Sequence, residues 1–216
     1  MSDSIYVIGG GPSLLNFDFN RLRYKNTIVI NNAIFNVPLA NYFITLDYTF
    51  FRKIDISKFN AYKTKENIFV YNFSNSDLQQ AETGVFDSRC KIKYDFTNKQ
   101  INSFVSSNEV TGFGYSYEDF RNGDNSGYCG LQLAIILGYK EIKLLGFDLN
   151  FSENITHFHT NYRTNAVRFK DKLDMYYKTF VTGLSQLHGT DINVYSLTEN
   201  GRLNNVIPYI SVEDDL

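Results

Sequence analysis

Two of the three histidines in this 216-residue chain, His157 and His159, stand two positions apart in the polar stretch from Thr156 to Tyr162. An imidazole with a pKa near ~6.5 takes up a proton at neutral pH, and general-base action of this kind is worth ~10²- to 10⁴-fold in rate. One of the two is therefore a candidate catalytic base. Metal binding is the competing chemistry, but zinc takes three or four ligands, and no Cys or Glu stands at a familiar spacing around the pair. The third histidine, His188, closes a helical run and reads as a cap.

A second group of residues suits an anion. Leu131, Ala134, Ile135 and Leu137 recur at helical spacing, and Asn125-Ser126-Gly127 stands at the amino end of that run. The first amides of a helix have no partner inside it and carry about half a unit of positive charge, so this end is shaped to receive an anion, with Gly127 allowing close approach. Gly138 stops the helix, and Ile142 to Leu145 then form a short buried strand that runs into Gly146-Phe147-Asp148. Ligands of parallel α/β sheets bind just past the carboxyl ends of strands, which makes Asp148 a contact candidate from the same unit.

The beginning of the chain offers the same geometry. Ile5 to Ile8 breaks into Gly9-Gly10-Gly11-Pro12-Ser13, a strand feeding a glycine turn as in the first element of a nucleotide-binding βα unit. It is not the G-x-G-x-x-G fingerprint, and Pro12 has no amide to give a phosphate, so dinucleotide binding of the NAD type is disfavoured. Thr27 to Ile30 ends in Asn31-Asn32, whose amides suit the reading of a base, a ribose or a sugar hydroxyl. Tyr42 to Leu46 ends in Asp47, which reads equally as a ligand contact and as a helix cap.

These positions need a scaffold that brings strand ends to one rim. Strand and helix periodicity in the order βαβα, with Ile68–Tyr71 and Ile192–Tyr195 as further strands, predicts an α/β domain. Its expected form is a Rossmann-like three-layer fold, with a mainly parallel sheet and helices on both faces, spanning 1–216 as one domain. Arg163 to His188 carries Phe169, Leu173, Tyr176, Phe180, Leu184 and Leu187 at intervals of three and four, a core-facing helix to which no chemistry is assigned. The pattern weakens from Asp87 to Asp124, where Lys91–Phe96 is a strand candidate and 97–124 reads as a short lid. Glu213-Asp214-Asp215 reads as a solvated tail.

With 43 % hydrophobic and 20 % charged residues, the chain suffices for one core. A formal net charge of -2 provides no general attraction to nucleic acid. Cys90 and Cys129 read as reduced core thiols, and no apolar run approaches the ~18 residues of a membrane span. With neither signal peptide nor anchor evident, the expected location is the cytoplasm.

Three stretches together carry a family resemblance: Ile8-Gly9-Gly10-Gly11-Pro12-Ser13-Leu14, Asn31, and Asn125-Ser126-Gly127 through Leu137-Gly138-Tyr139-Lys140-Glu141-Ile142 to Gly146-Phe147-Asp148. The chain resembles the bacterial lipooligosaccharide sialyltransferases of glycosyltransferase family 42. More loosely, it is similar to 6-hydroxymethylpterin diphosphokinase-like proteins, flagellin-modifying proteins and short tailed-phage proteins with the same turn. The resemblance implies Gly9, Gly11, Ser13, Asn31, Ser126 and Gly127 as contacts to a cytidine nucleotide sugar held without metal, and His157 or His159 as the base. Gly10 stands where that family has Asn, and Asp47 where it has Asn after the third strand. A carboxylate there would read ribose or recruit a cation, which points to a different nucleotide or to Mg²⁺.

Three functions follow as expectations. The first is glycosyl transfer from a nucleotide-activated sugar, CMP-linked by preference, to an acceptor hydroxyl on a glycan, nucleic acid or protein. The second is a Mg²⁺-dependent pyrophosphokinase-like transfer from ATP using Asp47 and Asp148. The third is a nucleotide-sugar-binding protein without catalysis. A homo-oligomer is compatible with each.

Overall fold

The computed structural model describes residues 4–46, 66–71, 101–105, 111–150, 157–158 and 166–216. Among them, seven strands form one sheet: β1 Ser4–Ile8, β2 Thr27–Ile30, β3 Tyr42–Thr45, β4 Glu66–Tyr71, β5 Ile101–Val105, β6 Glu141–Leu145 and β7 Asn193–Ser196. Their spatial order is β5-β4-β3-β2-β1-β6-β7, and every pairing is parallel. The expected α/β class with a parallel sheet is therefore the observed one. From β1 the chain builds outward through β2, β3, β4 and β5, then returns to lay β6 against the other side of β1. The reversal opens a crevice outside the carboxyl ends of β1 and β6, which is where ligands of such sheets bind.

Continuous apolar strands in the sequence mean burial on both faces, and side-chain alternation sorts them. Ile5 and Val7 of β1, Ile28 and Ile30 of β2 and Ile142 and Leu144 of β6 face one layer. Tyr6, Ile8, Val29, Phe43 and Leu145 face the other. The first layer is made by α1 (Ser126–Ile136) and α2 (Ala166–Ser185). Helix α1 packs on β1, β2, β3 and β6 and is buried from Tyr128 through Ile135. At its end the Tyr139 amide donates to the Ala134 carbonyl at 3.1 Å and that of Gly138 to Ile135 at 3.0 Å, the bond pair that closes a helix at a glycine. The second layer holds the 3₁₀ turns Pro12–Leu14, Phe19–Leu22 and Asn31–Phe35 and the short α3, Val212–Asp215.

Three expectations are corrected. Ile101–Val105, read as part of an excursion, is strand β5 beside β4. The described part of the supposed lid after it belongs to the core: Phe113 and Phe120 are buried with α1 and α2. The buried Gln132 on α1 accepts the Gly114 amide at 2.8 Å, while Gln186, just past α2, accepts that of Phe113 at 2.6 Å. The acidic tail is not solvated throughout, because Asp215 meets Lys143 of β6 in an ion pair whose side chains are 8 % and 13 % exposed. A lysine in a buried strand requires such a partner, and Arg21 holds Glu213 at 2.7 Å beside it.

The strand candidate Lys91–Phe96, together with Cys90, lies outside the described residues. Cys129 is a buried free thiol, as expected. No described helix is long and apolar enough to cross a membrane.

Candidate functional site

A cleft of about 410 Å³ opens at the crevice between the ends of β1 and β6, within the ~300–1,000 Å³ usual for small-molecule sites. Gly9, Gly10, Gly11, Asn31, Asn125, Ser126, Gly127, Asp148 and His157 all line it. Segments from the start, middle and later part of the sequence thus converge as expected. Two expected contacts do not: Asn32 is 7 % exposed and, like Ser13, is not part of the lining. Asp47 and His159 lie outside the described residues.

The glycine turn is organised differently from a phosphate cradle. The Gly9 amide donates to the Leu145 carbonyl at 2.8 Å and that of Gly11 to the Gly146 carbonyl at 2.9 Å, so both are committed to the end of β6. A Cβ on Gly11 would fall 1.8 Å from the Asp148 carboxylate and 2.7 Å from the Gly146 oxygen. The side chain is missing here so that two strand exits can touch. Ser13 completes the junction, its amide donating to Asp148 Oδ1 at 3.0 Å and its hydroxyl to Oδ2 at 2.8 Å. Burial pushes the Asp148 carboxyl above its ordinary pKa, and the Ser13 hydrogen bonds partly oppose that. Of the groups first assigned to a ligand, Gly9, Gly11, Ser13 and Asp148 therefore build the wall.

The amino end of α1 is set by local chemistry. Gly123 and Asp124 adopt φ of 59° and 50°, turning the chain so that Asn125 caps the helix, its Oδ1 accepting the Tyr128 amide at 3.0 Å. Gly127 lies against Phe147, whose ring a Cβ would meet at 2.9 Å. Ser126 Oγ accepts the Leu46 amide at 3.0 Å, anchoring the helix to the end of β3. Its own proton has no partner among the described residues, so Ser126 remains a donor toward the cleft. Ser126→Ala is expected to lower stability by about 1 kcal/mol by orphaning the Leu46 amide, measured by urea unfolding. An unchanged midpoint would mean that water replaces the bond at no cost.

Asn31 sits at φ 50°, with its Oδ1 accepting the Thr45 hydroxyl at 2.7 Å. That bond fixes which way the amide faces and leaves its NH₂ as donor. His157 is placed by its neighbour: the Phe158 amide donates to the Gly10 carbonyl at 3.1 Å, and the Phe158 ring lies 5.5 Å from that of Phe19. Desolvation lowers the His157 pKa to about 4, which corrects the expectation of an ordinary imidazole. It is neutral at pH 7 and able to accept a proton, with less basicity than an exposed histidine. Among the described residues, no three His, Cys, Asp or Glu side chains gather as a metal-holding group.

Sequence reasoning missed the contribution of α2. Lys172, Leu173 and Tyr176 line the cleft, as does Asp124, although the helix had been assigned to packing alone. The available signal was Lys172 one turn before Tyr176, a polar-tipped member of the apolar stripe, on one side of the helix.

No protein-family model matches the chain, and no curated protein sequence does. Solved structures do share its fold. The monofunctional α-2,3-sialyltransferase Cst-I from Campylobacter jejuni aligns over 96 % of this chain and 80 % of its own, at 18 % identity and a TM-score of 0.55. Sialyltransferase CstII from the same organism, in complex with the substrate analogue CMP-3FNeuAc, aligns over 95 % and 85 % at 17 % identity and a TM-score of 0.56. CST-II with a trisaccharide acceptor and CMP aligns over 95 % and 85 % at 18 % identity and a TM-score of 0.54. At these identities the likeness establishes a sialyltransferase-like fold.

Proposed function

We propose that the cleft binds a nucleotide-activated sugar and transfers the sugar to an acceptor hydroxyl. The observation that carries this reading is the meeting of Asn31, the amino end of α1 and His157 in one cleft at the β1–β6 crevice. Amide donors and a helix amino end suit a nucleotide and its phosphate, and a neutral imidazole suits proton acceptance. The fold shared with proteins solved with CMP-3FNeuAc and with CMP plus a trisaccharide favours a CMP-linked donor and a glycan acceptor.

In the reaction, the acceptor oxygen bonds to the anomeric carbon while His157 takes the hydroxyl proton. The bond from that carbon to the phosphate oxygen breaks, and the nucleotide leaves with the electron pair. Ser126 and the first amides of α1 supply hydrogen bonds to the departing phosphate, and Asn31 orients the nucleotide.

A thermal-shift screen against CMP-, UDP-, GDP- and ADP-linked sugars, followed by donor hydrolysis assays, tests this. Stabilisation and turnover with at least one donor are expected, independent of Mg²⁺. No shift and no turnover with any of them would end the reading. Binding of ATP only in the presence of Mg²⁺ would move it to phosphoryl or pyrophosphoryl transfer.

A further inference from the structure

Lys172 is the sole cationic side chain among the described residues that line the cleft. It stands on α2 one turn before Tyr176 and is exposed, and no ion pair among the described residues involves it. The titratable side chains sharing the lining are Asp124, Asp148, His157 and Tyr176. Two carboxyl groups, Asp124 and Asp148, thus share the described wall with one basic side chain. A donor phosphate entering such a cleft gains a second negative charge as the sugar leaves, and a cation beside it offsets that charge.

We propose that Lys172 holds the phosphate of the nucleotide in this cleft and neutralises the charge that gathers there as the sugar departs. The inference rests on the donor reading above and adds to it the group that does what a bound cation does elsewhere. No proton is transferred from Lys172, whose N–H groups bond the phosphate oxygen that receives the electron pair. A lysine suits this task because its compact charge rides on a flexible stem and can follow the oxygen as the sugar leaves. The α1 amides, fixed in the backbone, supply the stationary part of the same site. Tyr176, on the same helix face, can add a hydroxyl donor.

The test is calorimetric titration of the wild type, Lys172→Met and Lys172→Arg with CMP and with cytidine, and in parallel with the uridine, guanosine and adenosine pairs. Lys172→Met is expected to lose ~10- to 100-fold in affinity for the monophosphate, keep its affinity for the nucleoside, and show a weaker salt dependence. Lys172→Arg is expected to retain most of the binding. Equal losses for nucleoside and monophosphate, or no loss, would overturn the proposal. A further arm uses inorganic pyrophosphate alone. If it binds in a Lys172-dependent way while no nucleotide binds, the donor reading fails and the phosphate role stands. If neither binds, both fall.

Discussion

A Gly11→Ala variant is expected to melt about 6–12 °C below the wild type, corresponding to about 3 kcal/mol in a chain of this size. Backbone conformation is not the cause, because Gly11 has φ -68° and ψ 156°, values open to alanine. The cause is space: the new methyl would fall 1.8 Å from Asp148 Oδ2 and 2.7 Å from the Gly146 carbonyl. A carboxylate can swing aside, but the backbone oxygen cannot without moving the end of β6. Swinging Asp148 aside would also break both of its bonds to Ser13. Ser13→Ala separates the two effects, because it removes only the hydroxyl donor and should cost about 1–2 kcal/mol. Differential scanning calorimetry of both variants checks this, and a Gly11→Ala melt within about 2 °C of wild type would show that the junction yields easily.

The larger effect on activity is expected at His157. His157→Ala should lower sugar transfer by ~10²- to 10⁴-fold, with the melting temperature and donor affinity nearly preserved. The pH profile carries further information. In the proposed reaction transfer needs the neutral imidazole, so kcat/KM should fall as pH drops through about 4 and lie flat above it, tracking the lowered pKa of the free protein. Once a nucleotide phosphate sits in the same cleft, its negative charge favours the imidazolium, so the acid limb of kcat should lie at higher pH than that of kcat/KM. The same lowering links to stability. Between about 4 and the unfolded value near ~6.5, the unfolded chain binds more protons than the folded one. The contribution of His157 is therefore complete above ~6.5 and is lost as pH falls through about 4. If His159→Ala shows the loss and His157→Ala does not, the base is the other histidine.

How far the sequence speaks differs by element, and the reasons are physical. Thr27–Ile30 was legible to the residue because a strand buried on both faces is an unbroken apolar run with no ambiguity of register. The amino end of α1 was legible because Asn125 can do there what a helix interior cannot use, accept an orphan amide. Ile101–Val105 was not, since Asn102 and Ser103 interrupt its apolar pattern, and an edge strand needs only one neighbour. The sequence locates the glycines without saying what approaches them. Absence of a side chain admits a phosphate and a neighbouring strand equally, and only coordinates reveal that Gly146 and Asp148 occupy the space. Lys143 carried a signal that went unused: a charge in the middle of a buried strand predicts a carboxylate from elsewhere, and Asp215 supplies it.

The Ser13–Asp148 hydrogen bonds span 135 positions of sequence, which makes everything between them one long closed ring. The entropy of closing such a ring grows only with the logarithm of its length, so that doubling it costs about 0.6 kcal/mol. Segments inserted or removed within that ring, away from the strands and from α1, would scarcely alter the free energy of bringing the two sides of the cleft together. The loops of the outer half of the sheet can in this sense change length while the crevice itself keeps its geometry.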